Sequence, residues 1–261
     1  MKLNLLQLFV LLFWPACMMM AQDKVNMKFG KPTKEEMQMT TYEAEPDAEA
    51  VVLCRLTDVE YSIQQTGYLV DYREKVRIKV LKPSGVRYAK VVVPFLKNTP
   101  IDNRNSSSKK VLKVDATDNN SVSSSFEEQA GAMTTADLDR YSEESVEDVK
   151  ATAYNLQGSK VVKSVLKKGA FVETKIDDQH YQVEFTVPDV KEGTVIEYEY
   201  TLHSELFWLL HDWFAQCEIP VVYAKLDMNI PRYLLFNLEE HGVQRLMTSC
   251  ESGTMRFKLI S

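Results

Sequence analysis

Motifs that carry chemistry are scarce in this chain. It has four histidines, His180, His203, His211 and His241, and no two share the i, i+2 or i, i+4 spacing of a dedicated zinc site. HExxH and CxxC are absent, as are GxSxG, GxGxxG and any glycine-rich loop that could cradle phosphate. No cofactor or metal is therefore implied. Lys and Arg total 31 against 37 Asp and Glu, a formal net charge of -6, so the basic stripe that drives phosphate binding is missing and nucleic acid is not expected as a partner. Hydrophobic residues at 45% and charged residues at 26% are ordinary globular values, which excludes a wholly disordered chain, a collagen, a coiled coil or a polytopic membrane protein.

Only one long apolar run exists, Leu5 to Met20, preceded by a single charge at Lys2 and closed by Ala21. Short positive start, apolar middle and small closing residue form the plan of a secretory signal peptide, expected to be residues 1-21 and cut near Ala21. The run is shorter than the roughly 20 apolar residues that cross a bilayer, so no stable membrane span is expected after its removal. An uncleaved anchor and lipidation at Cys17 are the competing readings of this segment. Export to the periplasm or the extracellular space follows from the first. Cys54, Cys217 and Cys250 then remain, an odd number that permits one disulfide of open pairing, or three small buried apolar residues.

After a polar lead-in at 22-48, strand signals dominate. Tyr68, Val70, Tyr72, Val76, Ile78 and Val80 alternate with Asp71, Arg73, Lys75, Arg77 and Lys79, the period of a half-buried strand. Pro83-Ser84-Gly85 then predicts a turn, with Tyr88 to Phe95 returning as a hairpin. Further strands are expected at 50–56, 149–156, 160–166, 170–176, 181–187, 194–203, 222–230 and 255–260. Residues 96–147 break the rhythm. They are rich in Ser, Asn and Asp and read as a flexible surface insertion, with room for one short helix after the capping-box-like Thr134-Thr135-Ala136-Asp137. Asn105 and Asn119 open glycosylation sequons there. The pattern predicts an all-β fold, an antiparallel β-sandwich spanning 49-261 around that insertion.

The candidate chemistry is weak at each position. Cys217 lacks the glycine-rich turn or helix start that activates a thiol. His211-Asp212 could form an acid/base element, and Glu197 with Glu199 could form a carboxylate pair, although a solvated strand face explains the glutamates more simply. Phe207, Trp208, Trp213 and Phe214 cluster in a segment read as a loop or single helical turn. Exposed, they would make a binding or docking surface for a peptide, a glycan or a neighbouring domain. Buried, they would be a corner of the core.

Three stretches carry a resemblance: Tyr154 to Ile176, Phe185 to Glu205 and Trp213 to Pro231. They hold a Tyr-Asn-Leu strand, a Pro-x-Val-Lys-x-Gly turn into Ile-Glu-Tyr-x-Tyr, and a Trp-x-x-Gln-x-x-x-Pro-Val element before a strand ending in Ile-Pro. This resembles the domain of unknown function that precedes transglutaminase-like cores in secreted proteins of Gram-negative bacteria. The resemblance implies an exported, Ig-like or related sandwich with no catalytic residues of its own, and a transglutaminase-like domain as a partner. It gives structural roles to Tyr154, Pro188, Gly193, Ile196, Tyr198, Tyr200, Trp213, Gln216, Pro220 and Pro231. The expectation is thus a non-catalytic module that binds or positions a partner domain, a peptide or a glycan. Two alternatives stand beside it: the accessory part of a truncated transglutaminase-like enzyme of papain fold with its core beyond Ser261, and a free-standing thiol enzyme or hydrolase using Cys217 or His211.

Overall fold

The computed structural model describes residues 25–64, 67–97, 99–100, 141–231, 234, 239, 241, 247–251 and 254–260. The signal segment, the sequons and the capping box of the insertion lie outside the described residues. A short helix α1 (Lys34–Gln38) opens the fold, capped by Thr33 and Glu36 in a reciprocal box. Thirteen strands follow among the described residues: β1 (Ala50–Gln64), β2 (Gly67–Val80), β3 (Lys90–Leu96), β4 (Thr99–Pro100), β5 (Tyr141–Ser142), β6 (Glu144–Gln157), β7 (Lys160–Val165), β8 (Phe171–Lys175), β9 (His180–Thr186), β10 (Val195–Ser204), β11 (Tyr223–Asn229), β12 (Met247–Glu251) and β13 (Thr254–Ile260).

The chain is all-β, as its period-two pattern predicts. One sheet has the order β12-β13-β11-β1-β2-β10-β6-β7, a second has β3-β9-β8, and β4 pairs with β5. The two larger sheets pack face to face. Val76, Ile78 and Val80 of β2, Ala151 and Ala153 of β6 and Ile196 of β10 meet Val91, Val93 and Phe95 of β3 and Val183 and Phe185 of β9 in one core.

Four sequence expectations need correction. The hairpin from β2 into the next strand does not form. Residues Pro83–Ala89 make a 3-10 turn that carries the chain into the second sheet, where β3 pairs with β9. Gly85 is the pivot: a Cβ there would stand 2.3 Å from the Glu49 carbonyl oxygen. The large sheet is not purely antiparallel either, because β1 and β11 run parallel. The loop from Glu205 to Val222 makes this feasible, since a parallel return needs a connection of a dozen or more residues. In addition, β6 begins at Glu144, so the last residues of the expected insertion are strand.

The face of β2 that carries Arg77 and Lys79 is also not the solvated face its charges suggest. Both side chains are fully buried, because the lead-in crosses the back of the sheet over them. Met37 packs on Tyr154 and Val195, and Ala48, Met39 and Tyr42 pack around Val51 and Leu53. Arg77 uses its guanidinium completely: Nε donates to Glu197 at 2.8 Å, Nη1 to the Asn26 carbonyl at 2.6 Å and to Glu36 at 2.9 Å, and Nη2 to the Lys28 carbonyl at 2.6 Å. Its plane lies over the Phe29 ring.

Candidate functional site

The aromatic cluster, His211-Asp212 and Cys217 all lie in the loop Glu205–Val222, which packs against the main core. Leu206 is buried, and Phe207, Leu210, Trp213 and Ala215 pack against the main core. Trp208, Leu209 and Phe214 project outward at 45%, 47% and 66% exposure. The aromatic cluster therefore divides: Phe207 and Trp213 anchor, while Trp208 and Phe214 are presented. Trp208 stands edge-on to Phe207 at 5.0 Å, which fixes its pose.

Polar groups from the sheet hold this loop from below. The Trp213 indole N–H donates to Thr57 Oγ1 at 2.9 Å, and Thr57 donates onward to Glu74 at 2.6 Å. Arg55 pairs with the same Glu74 and donates to the Phe214 carbonyl at 2.8 Å. The Tyr61 hydroxyl donates to the Phe207 carbonyl at 3.1 Å. Burial pushes the Glu74 carboxyl above its usual range, and Arg55 and Thr57 offset part of that shift. Glu74 was the gap in the apolar face of β2, and that gap marked a buried polar anchor.

A second cluster forms around His211, between Phe207 and Trp213 in the loop. His211 Nε2 lies 2.7 Å from Glu144 Oε1, Ser204 Oγ donates to that same oxygen at 2.6 Å, and the Leu96 amide donates to Glu144 Oε2 at 2.8 Å. The Glu144 side chain has no exposure, and the hydrogen bond to it raises the His211 pKa above the ordinary 6.5. Serine, histidine and carboxylate are thus neighbours in the wrong order for acyl transfer. A nucleophilic serine needs the imidazole as its base, whereas here serine and imidazole both serve the carboxylate. The cluster closes the neck between β3 and β6 and ties His211 to it. His211 pairs with Glu144 and not with Asp212, its neighbour in sequence, because β6 brings Glu144 underneath the loop.

The other candidates fall into structural places. Glu197 is buried, accepting from Arg77, from the Gly30 amide at 2.6 Å and from the Tyr154 hydroxyl at 2.9 Å, which corrects its reading as a solvated residue. Glu199 faces outward with Lys150 and Lys75. Ile196 is fully buried, and Tyr198 and Tyr200 pack on the core, Tyr198 edge-on to Phe185. Gly193, with φ +82, closes the turn that follows Pro188. Its carbonyl and that of Met37 accept from buried Lys79 Nζ at 2.6 and 2.8 Å, and burial lowers that lysine's pKa to about 8. The Pro220 carbonyl accepts from Val52, the Pro231 carbonyl accepts from Leu234, and Gln216 is exposed. Cys54 is a buried free thiol, pushed up to about 12 by burial, and Cys217 is an exposed free thiol. Cys250 lies in β12. A cleft of about 330 Å³ beside Met37, Asn155 and Gly193 offers little chemistry, since the Asn155 amide is already engaged by Asp189 and Thr194.

No family model and no curated protein matches the chain. Among solved structures it is similar to a candidate protease from Parabacteroides distasonis ATCC 8503, at 11% identity and a TM-score of 0.47, over 81% of this chain and 35% of that one. It is also similar to a candidate nutrient binding protein from Legionella pneumophila subsp. pneumophila str. Philadelphia 1, at 12% identity and a TM-score of 0.32, over 81% of this chain and 62% of that one. The chain thus spans about a third of the first structure and somewhat under two thirds of the second.

Proposed function

We propose that this chain is an exported, non-catalytic β-sandwich module that positions a partner domain, and that the loop Glu205–Val222 is its contact surface. The resemblance read from the sequence names a transglutaminase-like core as the kind of domain it would hold, in the same polypeptide or another. The observation that carries the reading is the division within the loop. Its backbone and inward side chains are fixed by Arg55, Thr57, Tyr61 and Glu144, while Trp208, Leu209 and Phe214 remain outside. Apolar side chains held in place before contact lose little freedom on binding, and buried aromatics dominate protein contacts.

The test is to express the chain together with the polypeptide encoded next to it in its native locus and to measure their association by calorimetry. Replacing Trp208 and Phe214 together by alanine should weaken association about ten-fold or more while thermal unfolding stays cooperative and shifts by only a few degrees. Undiminished association in that variant would overturn the reading.

A further inference from the structure

The outer edge of the small sheet is self-complementary, and we propose that β8 pairs antiparallel with β8 of a second copy of this chain. Among the described residues β8 is the edge of its sheet, paired only with β9. All five of its residues are exposed, with Val172 at 64% and the following Ile176 at 58%. An open strand with exposed apolar residues is a template for another strand. The turn beyond it is firm, since Asp177 accepts from the Gln179 and His180 amides.

The backbone restricts the register. The Ile176 amide donates to the His180 carbonyl at 2.9 Å, so Ile176, Thr174 and Val172 direct their backbone groups toward β9. By the alternation of an antiparallel ladder, Phe171, Glu173 and Lys175 direct theirs to the open side. A two-fold pairing must therefore match these odd positions with one another. Centring it on Glu173 places that carboxylate opposite its own copy, and centring it on Lys175 does the same with two ammonium groups. Centring it on Val172 leaves Lys175 opposite Gly169. Centring it on Thr174 sets Glu173 opposite Lys175 of the other copy, twice, and Val172 opposite Ile176, twice. Opposite charges and β-branched pairs directly across strands are both stabilising. The existing partners of these charges, Lys97 for Glu173 and Asp178 for Lys175, are exposed pairs that exchange at little cost. The result is a continuous six-stranded sheet across two chains. With only two short strands in contact, it is a weak and reversible dimer.

Sedimentation of the full chain tests this directly. The mass should rise with concentration toward twice the single-chain 30.0 kDa; a single-chain mass up to the millimolar range would overturn the proposal. Glu173→Lys and Lys175→Glu should each weaken dimerisation about ten-fold or more, and the double exchange Glu173→Lys/Lys175→Glu should restore it. Failure of the exchange to restore it would overturn the register. A disulfide trap supplies an independent reading. In a Cys217→Ser background, Thr174→Cys sits on the two-fold axis at a close, non-hydrogen-bonded position and should link two chains under oxidation. Val172→Cys, equally exposed but facing Ile176, should not. Equal linking of the two variants would overturn the proposal.

Discussion

Each face of the large sheet carries a stretch of irregular chain, on the front beside the small sheet, and in both cases buried polar side chains of the sheet hold that stretch down. On the back, Arg77, Glu197 and Lys79 grip the lead-in. On the front, Arg55, Thr57, Glu74 and Glu144 grip the loop Glu205–Val222. The outcomes differ. The lead-in buries Met37 and Ala48 almost wholly and leaves only Met27 outside among its described large apolar residues, whereas the loop keeps Trp208, Leu209 and Phe214 outside. The same device thus closes a face in one place and displays a surface in the other.

The largest effect should come from the back. Arg77→Ala leaves the Glu197 carboxylate buried without its cation and removes the donors that hold Asn26 and Lys28, so about 3–5 kcal/mol of stability should be lost in urea unfolding. A loss below about 1 kcal/mol would mean that the lead-in is not held by this pair, and the contrast between the faces would fail.

Protonation should separate the two faces by sign. Lys79 has a folded-state pKa of about 8 against an ordinary 10.5, because it is buried with carbonyls and no carboxylate. The unfolded chain binds more protons between those values, so the cost of burying the charge is complete below pH 8 and fades toward pH 10.5. Stability contributed through the back should therefore rise across that window, and Lys79→Met should abolish the rise. His211 is shifted upward by Glu144. Its contribution is complete below pH 6.5 and is lost as pH rises through the raised value. Hydrogen exchange of the loop amides should quicken over that range, and His211→Gln should remove the dependence. Equal slopes in wild type and variants would sink both assignments.

Most of the strand content was legible because period-two alternation reports burial on one face. Tyr68 to Val80 and Thr194 to Leu202 show it directly. The pattern is silent on what covers the other face. Arg77, Lys79 and Glu197 read as solvated because a charge on a strand usually is; their burial depends on Asn26, Lys28 and Glu36, far away in sequence. The failed hairpin has a similar cause. Pro83-Ser84-Gly85 signals a change of direction, but the choice of sheet is made by the core that Val91, Val93 and Phe95 share with β9. At the candidate site, the aromatic cluster was visible as composition. Its split into anchors and presented residues was not, since that depends on Thr57 and Glu74 across two strands. The one local hint was Glu74 interrupting an apolar stripe.

On the front, Trp213→Phe keeps an aromatic ring on the core but removes the indole N–H that bonds Thr57 and the part of the bicycle that carries it. That leaves the Thr57–Glu74 pair intact, and the lost hydrogen bond and packing together should cost about 1–3 kcal/mol. It should also loosen the loop locally, seen as faster exchange at residues 213–215 with little change at the lead-in. A change of similar size at both faces would mean that the two covers unfold together, and the contrast would be one of burial alone.

The smallest effect should come from the presented residues themselves. Trp208 and Phe214 contribute no side-chain hydrogen bond to the loop; Phe214 is held through its carbonyl, which alanine would retain. Replacing both should therefore cost about 1 kcal/mol or less each, Trp208 more than Phe214 because of its edge-on contact with Phe207, while removing the apolar surface. Large side chains whose loss costs the fold so little are explained by contacts made outside it. A loss of several kcal/mol in the double variant would instead make them part of the front cover, and the two faces would then be closed in the same way.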